Sequence, residues 1–362
     1  MSLARRAVHA AIASLVPFSL ATFAACSAGP TAVVSADAAE EGASPTPEAG
    51  SPTPNEAGAT DASKPTAIAP MGGPRVLFSL SATPHGLVAV GGLSAAVLDA
   101  IDVLDPARNT WRMAGEDVVP RYGHGAAVDA AGSLYVLGGT RDGSTPIASA
   151  SLVDPGTSTS AELPDMPEAR LGLGAAVVGD EVLVFGGRGP NGATADEMLV
   201  YDTRARTWSR GPKMPSRRLA FATVVAGSRV YLVGGRDATD VPVAAVESYD
   251  TVTKTFRTEP SLVEARYWLC AAALADGTLV TIGGTTSSGF SDTIEVLRDG
   301  AFRKAATLPD PRGWHACARG ADGRVYVAGG AIRRGGGSPT PRSDVLAFDP
   351  RTNAVTEAAA SP

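Results

Sequence analysis

Arginine recurs along this 362-residue chain at a nearly constant spacing. Six arginines each precede, by sixteen or seventeen positions, a Gly-Gly pair that closes an apolar stretch such as "YLVGGR". They are Arg75, Arg121, Arg170, Arg218, Arg266 and Arg312. The planar guanidinium group binds carboxylates, phosphates and sulfates through paired hydrogen bonds, so this set predicts an anion-binding surface. Arg188 and Arg236, each directly after a Gly-Gly pair, are further candidate ligand contacts.

A repeated arginine can also serve the fold alone, by donating to loop carbonyls or pairing with a nearby acid. Five acids lie close enough in the sequence to neutralise such arginines: Glu168, Glu264, Asp310, Asp142 and Asp237. For any single repeat arginine we favour this structural role. Ligand contact by several of them together is the alternative, since exposed loops often carry function.

Other chemistry-bearing residues are few. His124 and His315 each follow a repeat arginine by three residues. They belong to repeats that are not adjacent, so we expect them to be too far apart to bind one metal ion. We expect no metal, no cofactor and no catalytic residue in this chain. Cys270 and Cys317 stand four and five residues after their arginines, which predicts side chains on opposite faces. We therefore favour two buried free thiols over a disulfide between them.

The glycine pairs define the element that positions these residues. Their first members are Gly91, Gly138, Gly186, Gly234, Gly283 and Gly329, at intervals of 47, 48, 48, 49 and 46 along the chain. A period near 50 is typical of propeller blades. The strand before each pair is continuously apolar, as a strand covered on both faces must be. Turn residues between arginine and glycine, and a later "YD" phrase, predict four strands in each unit.

The repeated phrase, with its Gly-Gly pair, its Tyr-Asp and its later aromatic residue, resembles the kelch repeat. Trp111, Trp208 and Phe256 occupy that aromatic position. The resemblance implies an all-β, six-bladed β-propeller of four antiparallel strands per blade over residues 71–362. Its blades begin near residues 75, 121, 170, 218, 266 and 312. The outer strand of blade six comes from "NAVTEAA" or, less favourably, from "PTAIAPMGG" near the N-terminus.

The N-terminal part of the chain, before the first repeat, predicts export. Residues 1–25 carry Arg5 and Arg6 before an apolar run, as a signal peptide does, and the run ends at Cys26 in a small-residue context resembling a bacterial lipoprotein box. Residues 26–70 are rich in Pro, Ala, Ser and Thr, which predicts a disordered linker. We expect an outer-membrane-anchored lipoprotein lipidated at Cys26, with simple secretion or a periplasmic location as the alternative.

In a propeller the predicted arginine-bearing loops open on one channel mouth. The net charge of −6 argues against general nucleic-acid binding, but a basic mouth would attract anions. We expect a monomeric interaction module of the cell envelope that binds acidic protein loops or anionic glycans and touches membrane only through its lipid. One alternative is an enzyme resembling periplasmic sugar mutarotases, using Glu168 with Arg170 and Glu264 with Arg266. A purely structural envelope protein is the other.

Overall fold

A computed structural model describes residues 68–105, 107–334 and 337–357, all within one compact unit of the chain. These residues contain β-strands and turns and no helix, so none of them forms a helix able to cross a membrane. The predicted signal peptide, the lipidation site Cys26 and nearly all of the predicted linker lie outside the described residues.

Six four-stranded antiparallel sheets follow one another along the chain, each with its strands in sequential order. Blade 1 contains β1 (Ser79–Thr83), β2 (Gly86–Val90), β3 (Ala100–Asp105) and β4 (Thr110–Glu116). Blade 2 contains β5 (Gly125–Val128), β6 (Leu134–Leu137), β7 (Ala150–Asp154) and β8 (Thr159–Leu163). Blade 3 contains β9 (Gly174–Val178), β10 (Glu181–Phe185), β11 (Glu197–Asp202) and β12 (Thr207–Lys213).

The second half repeats the pattern. Blade 4 contains β13 (Ala222–Ala226), β14 (Arg229–Val233), β15 (Val246–Asp250) and β16 (Thr255–Glu259). Blade 5 contains β17 (Cys270–Ala273), β18 (Leu279–Ile282), β19 (Thr293–Arg298) and β20 (Ala301–Thr307). The remaining strands are β21 (Arg312–Gly313), β22 (Ala316–Arg319), β23 (Val325–Ala328), β24 (Ala331–Ile332), β25 (Thr340–Pro341), β26 (Val345–Asp349) and β27 (Ala354–Thr356). Of these, β22, β23, β26 and β27 form blade 6. The strands β21, β24 and β25 form a separate small sheet from the loops that precede β22 and follow β23.

The burial of each strand follows its place in the blade. The second strands are the most buried, and Leu134–Leu137, Leu279–Ile282 and Val325–Ala328 are buried at every position, because neighbouring blades cover both faces. The fourth strands alternate or are largely exposed, as in Thr207–Lys213. The first strand of each blade contacts the first strands of both neighbouring blades, and β1 contacts β22. The six sheets therefore form a closed β-propeller around a central channel, which confirms the predicted fold.

The ring closes between blades 6 and 1 without a covalent link. The strand β27, from the C-terminal end of the described residues, pairs with β26 and completes blade 6. The described residues 68–75 supply no strand to blade 6, but their Met71 and Arg75 amides donate to the Ser343 and Arg342 carbonyls at 2.8 and 3.0 Å. Elsewhere the linkers between consecutive blades make equivalent bonds, as the Met166 amide does to the Ala148 carbonyl. Residues 68–75 thus act as the sixth inter-blade linker.

The glycine pairs hold neighbouring blades together. In every blade the second glycine amide donates to the carbonyl of the next repeat arginine at 2.8–3.0 Å, and the bond from Gly330 to Arg75 closes the circle. The first glycine has φ between 53° and 64°. A side chain there would bring its Cβ within 2.3–2.7 Å of the same arginine carbonyl. Only glycine permits this approach, which explains why the pair recurs in all six units.

The expectation of two free thiols is wrong. Cys270 and Cys317 form a disulfide between β17 and β22, the inner strands of blades 5 and 6, with their Cα atoms 5.7 Å apart. The offset of one residue between the two cysteines does not turn their side chains apart. The reason is that the inner strands belong to different sheets and are not paired in register.

Candidate functional site

The six repeat arginines lie inside the propeller, one in each blade. None of them is more than 6% exposed. Arg266 is representative: its Nη1 donates to the carbonyls of Gly283 and Thr293 at 3.1 and 2.8 Å, and its Nη2 donates to Thr281 Oγ1 at 3.0 Å. Its ion pair with Glu295 at 2.5 Å is fully buried. Burial lowers the pKa of Arg266, and the charge of Glu295 partly offsets that effect.

Each repeat arginine has a carboxylate partner at 2.5–3.3 Å. The pairs are Arg75 with Asp102, Arg121 with Asp117, Arg170 with Glu168, Arg218 with Glu247, Arg266 with Glu295, and Arg312 with Asp344. Asp102, Glu247 and Glu295 lie on the third strand of the same blade, whereas Asp117 and Glu168 lie in the same loop as their arginines. The ligand-binding role predicted for these six arginines stays a prediction, and their burial weighs against it.

The residues two positions after each repeat arginine form a second circle of backbone hydrogen bonds around the channel. We call its members the inner ring: Leu77, Gly123, Gly172, Ala220, Trp268 and Trp314. Each amide donates to the carbonyl of the member in the preceding blade, at 2.7–3.4 Å, and Leu77 donates to Trp314. All six residues have positive φ. Glycine accepts this conformation freely, whereas a residue with a Cβ loses about 1–2 kcal/mol.

The four members of the inner ring other than glycine are therefore in strained positions, with φ of 54° at Leu77, 55° at Ala220, 45° at Trp268 and 61° at Trp314. Strained residues of this kind concentrate at functional sites. Phe290 packs edge-on against Trp314, with ring centroids 5.1 Å apart, and Tyr267 adjoins Trp268 in the chain. Trp268, Tyr267 and Phe290 are partly exposed, while Trp314 is buried. We call these four residues the aromatic floor, and the channel end that they occupy the mouth.

Arg188 and Arg236 lie on the mouth, where the structure brings them together. Arg188 of blade 3 forms an ion pair with Asp240 through Nη2, and Arg236 of blade 4 donates from Nε to the Asp240 carbonyl at 3.0 Å. The Asp240 carboxylate is also 3.7 Å from Arg236 Nε. The Arg236 guanidinium lies over the Tyr267 ring, 4.6 Å from its centroid. Two arginines thus share the Asp240 carboxylate. Although desolvation opposes it, hydrogen bonds from Thr239 and Val241 lower the pKa of the adjacent Asp237, and the charge of Arg236 contributes to that lowering.

Two further mouth arginines pair with no carboxylate among the described residues. Arg333, in the loop between β24 and β25, lies over the Phe290 ring at 5.7 Å from its centroid. Arg141 is exposed in the corresponding loop of blade 2, and its charge helps to lower the pKa of Arg121 after the larger effect of burial. The other loop cations are paired, as Arg334 is with Asp310 at 2.7 Å. The mouth therefore presents individual guanidinium groups without ion pairs in the described part of the chain, interspersed with acids such as Asp142 and Asp237.

Comparison with known proteins agrees with this architecture. The profile described as the KLHDC2/KLHL20/DRC7 Kelch-repeats domain matches residues 78–284, more than half of the chain. The chain belongs to the kelch-repeat family. The solved structure of YjhT is similar to this chain with a TM-score of 0.69 and 17% sequence identity, covering 80% of this chain and 99% of that one. At this identity the likeness shows the fold alone. No curated protein sequence matches the chain.

The channel of this kelch propeller continues beneath the inner ring as a cavity of about 160 Å³. His124 and His315 line it, and each imidazole packs against the first glycine of the preceding blade. His124 Nε2 is hydrogen-bonded to Ser79 Oγ at 3.1 Å, and His315 Nε2 to the Ile282 carbonyl at 3.1 Å. Burial lowers the pKa of both histidines to about 3, helped by neighbouring arginines. Both are neutral packing residues of the kelch ring.

The acids of the enzyme alternative are engaged within the kelch fold. Glu168 pairs with Arg170 at 3.3 Å and with Arg210 at 3.4 Å, beside a cavity of about 500 Å³ on blade 3. Glu264 Oε2 accepts a hydrogen bond from Ser291 Oγ at 2.6 Å. In the part of the chain that the structure describes, no group of three or more His, Cys, Asp or Glu side chains could hold a metal ion.

Sequence reasoning missed Asp240 and the aromatic floor. The signal for the tryptophans is present: Trp268 and Trp314 stand two residues after their repeat arginines, where blades 2 and 3 have glycine. An alignment of the six kelch units by their arginines exposes this contrast. No comparable signal identifies Asp240, because loop length and composition differ between blades after each glycine pair.

Proposed function

We propose that this protein is a kelch-type binding module whose mouth captures an acidic loop of a partner protein. The supporting observation is a set of accessible guanidinium groups at the mouth, where Arg188 and Arg236 share Asp240 and Arg333 has no acidic partner among the described residues. Arginine side chains on a concave surface attract carboxylates selectively and speed their association. The ligand contacts proposed here are therefore the loop arginines rather than the buried repeat arginines.

Binding is favoured over catalysis by the state of the acidic side chains. An acid/base role needs a carboxylate that can exchange a proton with a substrate. Glu168 is held by two arginines and Glu264 by Ser291. The mouth arginines, in contrast, have guanidinium groups that a ligand can reach. Anionic glycans present the same charged groups and are the second class of ligand to test.

The test is binding of a synthetic glutamate-rich peptide, followed by fluorescence anisotropy at low and moderate salt. Arg236→Gln and Arg333→Gln should each weaken binding about tenfold, because each removes one charged contact of the order of 1.4 kcal/mol. Arg303→Gln is the matched control, since Arg303 is exposed on the outer strand Ala301–Thr307, away from the mouth. Equal affinity of all variants, or no binding by the wild type, would refute the proposal. If a sulfated or uronic-acid oligosaccharide binds more tightly than the peptide, the ligand of the mouth is an anionic glycan rather than an acidic protein loop.

We further propose that the module is exported and is lipidated at Cys26. The support is the signal-like run before Cys26 and the Pro-rich stretch after it. Such a stretch suits a tether that holds a domain away from a membrane. Radiolabelled palmitate should be incorporated by the wild type and not by Cys26→Ala. Release of unlabelled wild type into the medium would favour simple secretion.

A further inference from the structure

Blade 5 supplies an aromatic surface that its two neighbours flank with arginine. Tyr267, Trp268 and Phe290 all belong to loops of blade 5 on the mouth. Arg236, from blade 4, stacks on Tyr267 at 4.6 Å, and Arg333, from blade 6, stacks on Phe290 at 5.7 Å. Positive charge therefore lies on both sides of an aromatic centre. The arrangement is specific to this part of the ring, because blades 1 to 4 place smaller or aliphatic residues on the inner ring.

Trp268 extends across the channel axis. Its Cη2 atom is 3.5 Å and 3.4 Å from the positions that a Cβ would occupy on Gly123 and Gly172, in blades 2 and 3. The indole thus lies over the centre of the inner ring, and it is partly exposed to solvent. Its φ of 45° shows that the backbone adopts a conformation unfavourable for tryptophan at a position where glycine would suffice for the ring. Part of the indole packs against the apolar cluster that contains Val76, Leu77 and Trp314, and the remainder is exposed.

An exposed aromatic face beside cations selects ligands that combine a ring with carboxylates. Aromatic pairs prefer offset or edge-to-face contacts, and Phe290 with Trp314 already shows this edge-on geometry within the floor. Tryptophan, tyrosine and arginine are also the residues that dominate the affinity of protein interfaces. A purely acidic loop would use the arginines and leave the Trp268 face in contact with water.

We infer that the partner loop carries an aromatic side chain at its tip, flanked on both sides by acidic residues. The tip ring stacks on Trp268 at the centre of the mouth. The carboxylates before and after it bind Arg236 on one side and Arg333 on the other. This inference rests on the proposed function and adds the feature that decides which acidic loops are bound.

The experiment compares three cyclic peptides of equal length and charge, Glu-Glu-X-Glu-Glu closed by a Gly-Ser linker, with tyrosine, leucine or glycine as X. The wild type should bind the tyrosine peptide at least tenfold more tightly than the glycine peptide, with leucine intermediate. Trp268→Gly, which installs the residue present in blades 2 and 3 and relieves the strained φ, should reduce that ratio to about one. Arg333→Gln should weaken all three peptides by a similar factor. Trp208→Phe, on the outer strand of blade 3, is the control and should leave the ratio unchanged.

The outcomes separate the two proposals. If the three peptides bind the wild type equally, or if Trp268→Gly keeps the preference for tyrosine, the aromatic tip is wrong while acidic-loop binding stands. If none of the peptides binds, the proposed function itself fails. Circular dichroism and thermal melting of Trp268→Gly show whether the ring is intact, and Trp268→Leu provides a second variant that keeps an apolar side chain at the position.

Discussion

This propeller contains two sets of arginines that differ in burial. One set precedes the first strand of each blade and is buried, and the other follows the second strand and is at least partly exposed to solvent. The repeat arginines are buried, each donates to backbone carbonyls or carboxylates and each has an acidic partner of its own. The loop arginines after the glycine pairs are partly or fully exposed, and Arg188 and Arg236 share a single carboxylate. Residue type therefore does not decide the role of an arginine here. The number of fixed acceptors around it does.

The difference in burial also separates the features that all six blades share from the loops that differ between blades. The buried arginine, the glycine pair and the inner-ring bond occur in all six blades because every blade meets its neighbours in the same way. The loops on the mouth meet solvent, and each differs in length and composition. Changes to the repeated interior should lower stability. Changes to the mouth should lower binding and leave stability nearly unchanged.

The largest expected effect is the loss of a buried arginine. Arg266→Met should lower the free energy of unfolding by about 3–5 kcal/mol, because it leaves Glu295 buried without its partner and frees two carbonyls. Arg236→Met, at the mouth, should change it by less than about 1 kcal/mol. Urea denaturation followed by circular dichroism measures both. Equal losses in the two variants would contradict the distinction between the two sets.

Removal of the disulfide should come next. Cys270 and Cys317 are 47 residues apart, and a crosslink closing a loop of that length is worth about 4 kcal/mol in the chain-entropy estimate. Cys270→Ala with Cys317→Ala should lose stability of that order and keep peptide binding, since neither cysteine contacts the mouth arginines. Thiol titration of the denatured, unreduced protein supplies the check, in a Cys26→Ala background so that only Cys270 and Cys317 are counted. Reaction of both cysteines would show that the bond is absent.

The disulfide also shows where sequence reasoning stops. The regular period of the glycine pairs and the apolar strands before them are enough to predict six four-stranded blades, because both follow from local chain chemistry. The pairing of Cys270 with Cys317 depends on how two separate sheets face each other across the ring. Neither the spacing nor the alternation of residues within one strand contains that information.

The carboxylate partners of the repeat arginines are predictable only in part. Glu168, two residues before Arg170, is recognisable as a neutralising acid and does pair with it. Asp310 is equally close to its own repeat arginine, but it binds Arg334. Asp117 precedes its arginine by four residues, whereas Asp344 follows its arginine from the far side of the blade. In blades 1, 4 and 5 the acid does occupy one repeated place, because Asp102, Glu247 and Glu295 each lie on the third strand opposite the residue two before the first glycine. In blades 2, 3 and 6 the acid comes from elsewhere, so the repeat pattern marks the partner in only half of the ring.

Acidification should destabilise the interior through its two neutral histidines. Both pKa values are lowered from about 6.5 to about 3 by burial, with Arg121 and Arg75 acting on His124, and Arg312 and Arg266 acting on His315. The unfolded chain therefore binds more protons between these values, so stability falls as the pH drops from about 6.5 toward 3. Each histidine should lower the free energy of unfolding by about 2 kcal/mol when the pH falls from 7 to 5.

A variant without the two buried histidines tests this assignment. His124→Phe with His315→Phe uses the residue that blades 1 and 4 have at this position, Phe78 and Phe221. Its unfolding free energy should be nearly independent of pH between 7 and 5, as measured by urea titration at each pH. If the unfolding free energy of the variant falls with pH as steeply as that of the wild type, groups other than these two histidines cause the acid sensitivity.

The smallest expected effect isolates the contact between blades. Gly186 and Gly179 both have positive φ, at 53° and 60°, so alanine is strained at either position by about 1 kcal/mol. Alanine at Gly186 would also place its Cβ 2.3 Å from the Arg218 carbonyl of the next blade, whereas nothing lies within 4 Å at Gly179. Gly186→Ala should therefore lower the unfolding free energy by about 1–2 kcal/mol more than Gly179→Ala does. Because the backbone strain is common to both, the difference between their urea midpoints reports the inter-blade approach alone. Equal midpoints would mean that the first glycine of each pair is needed only for its φ, and that the close approach to the arginine carbonyl can relax without loss.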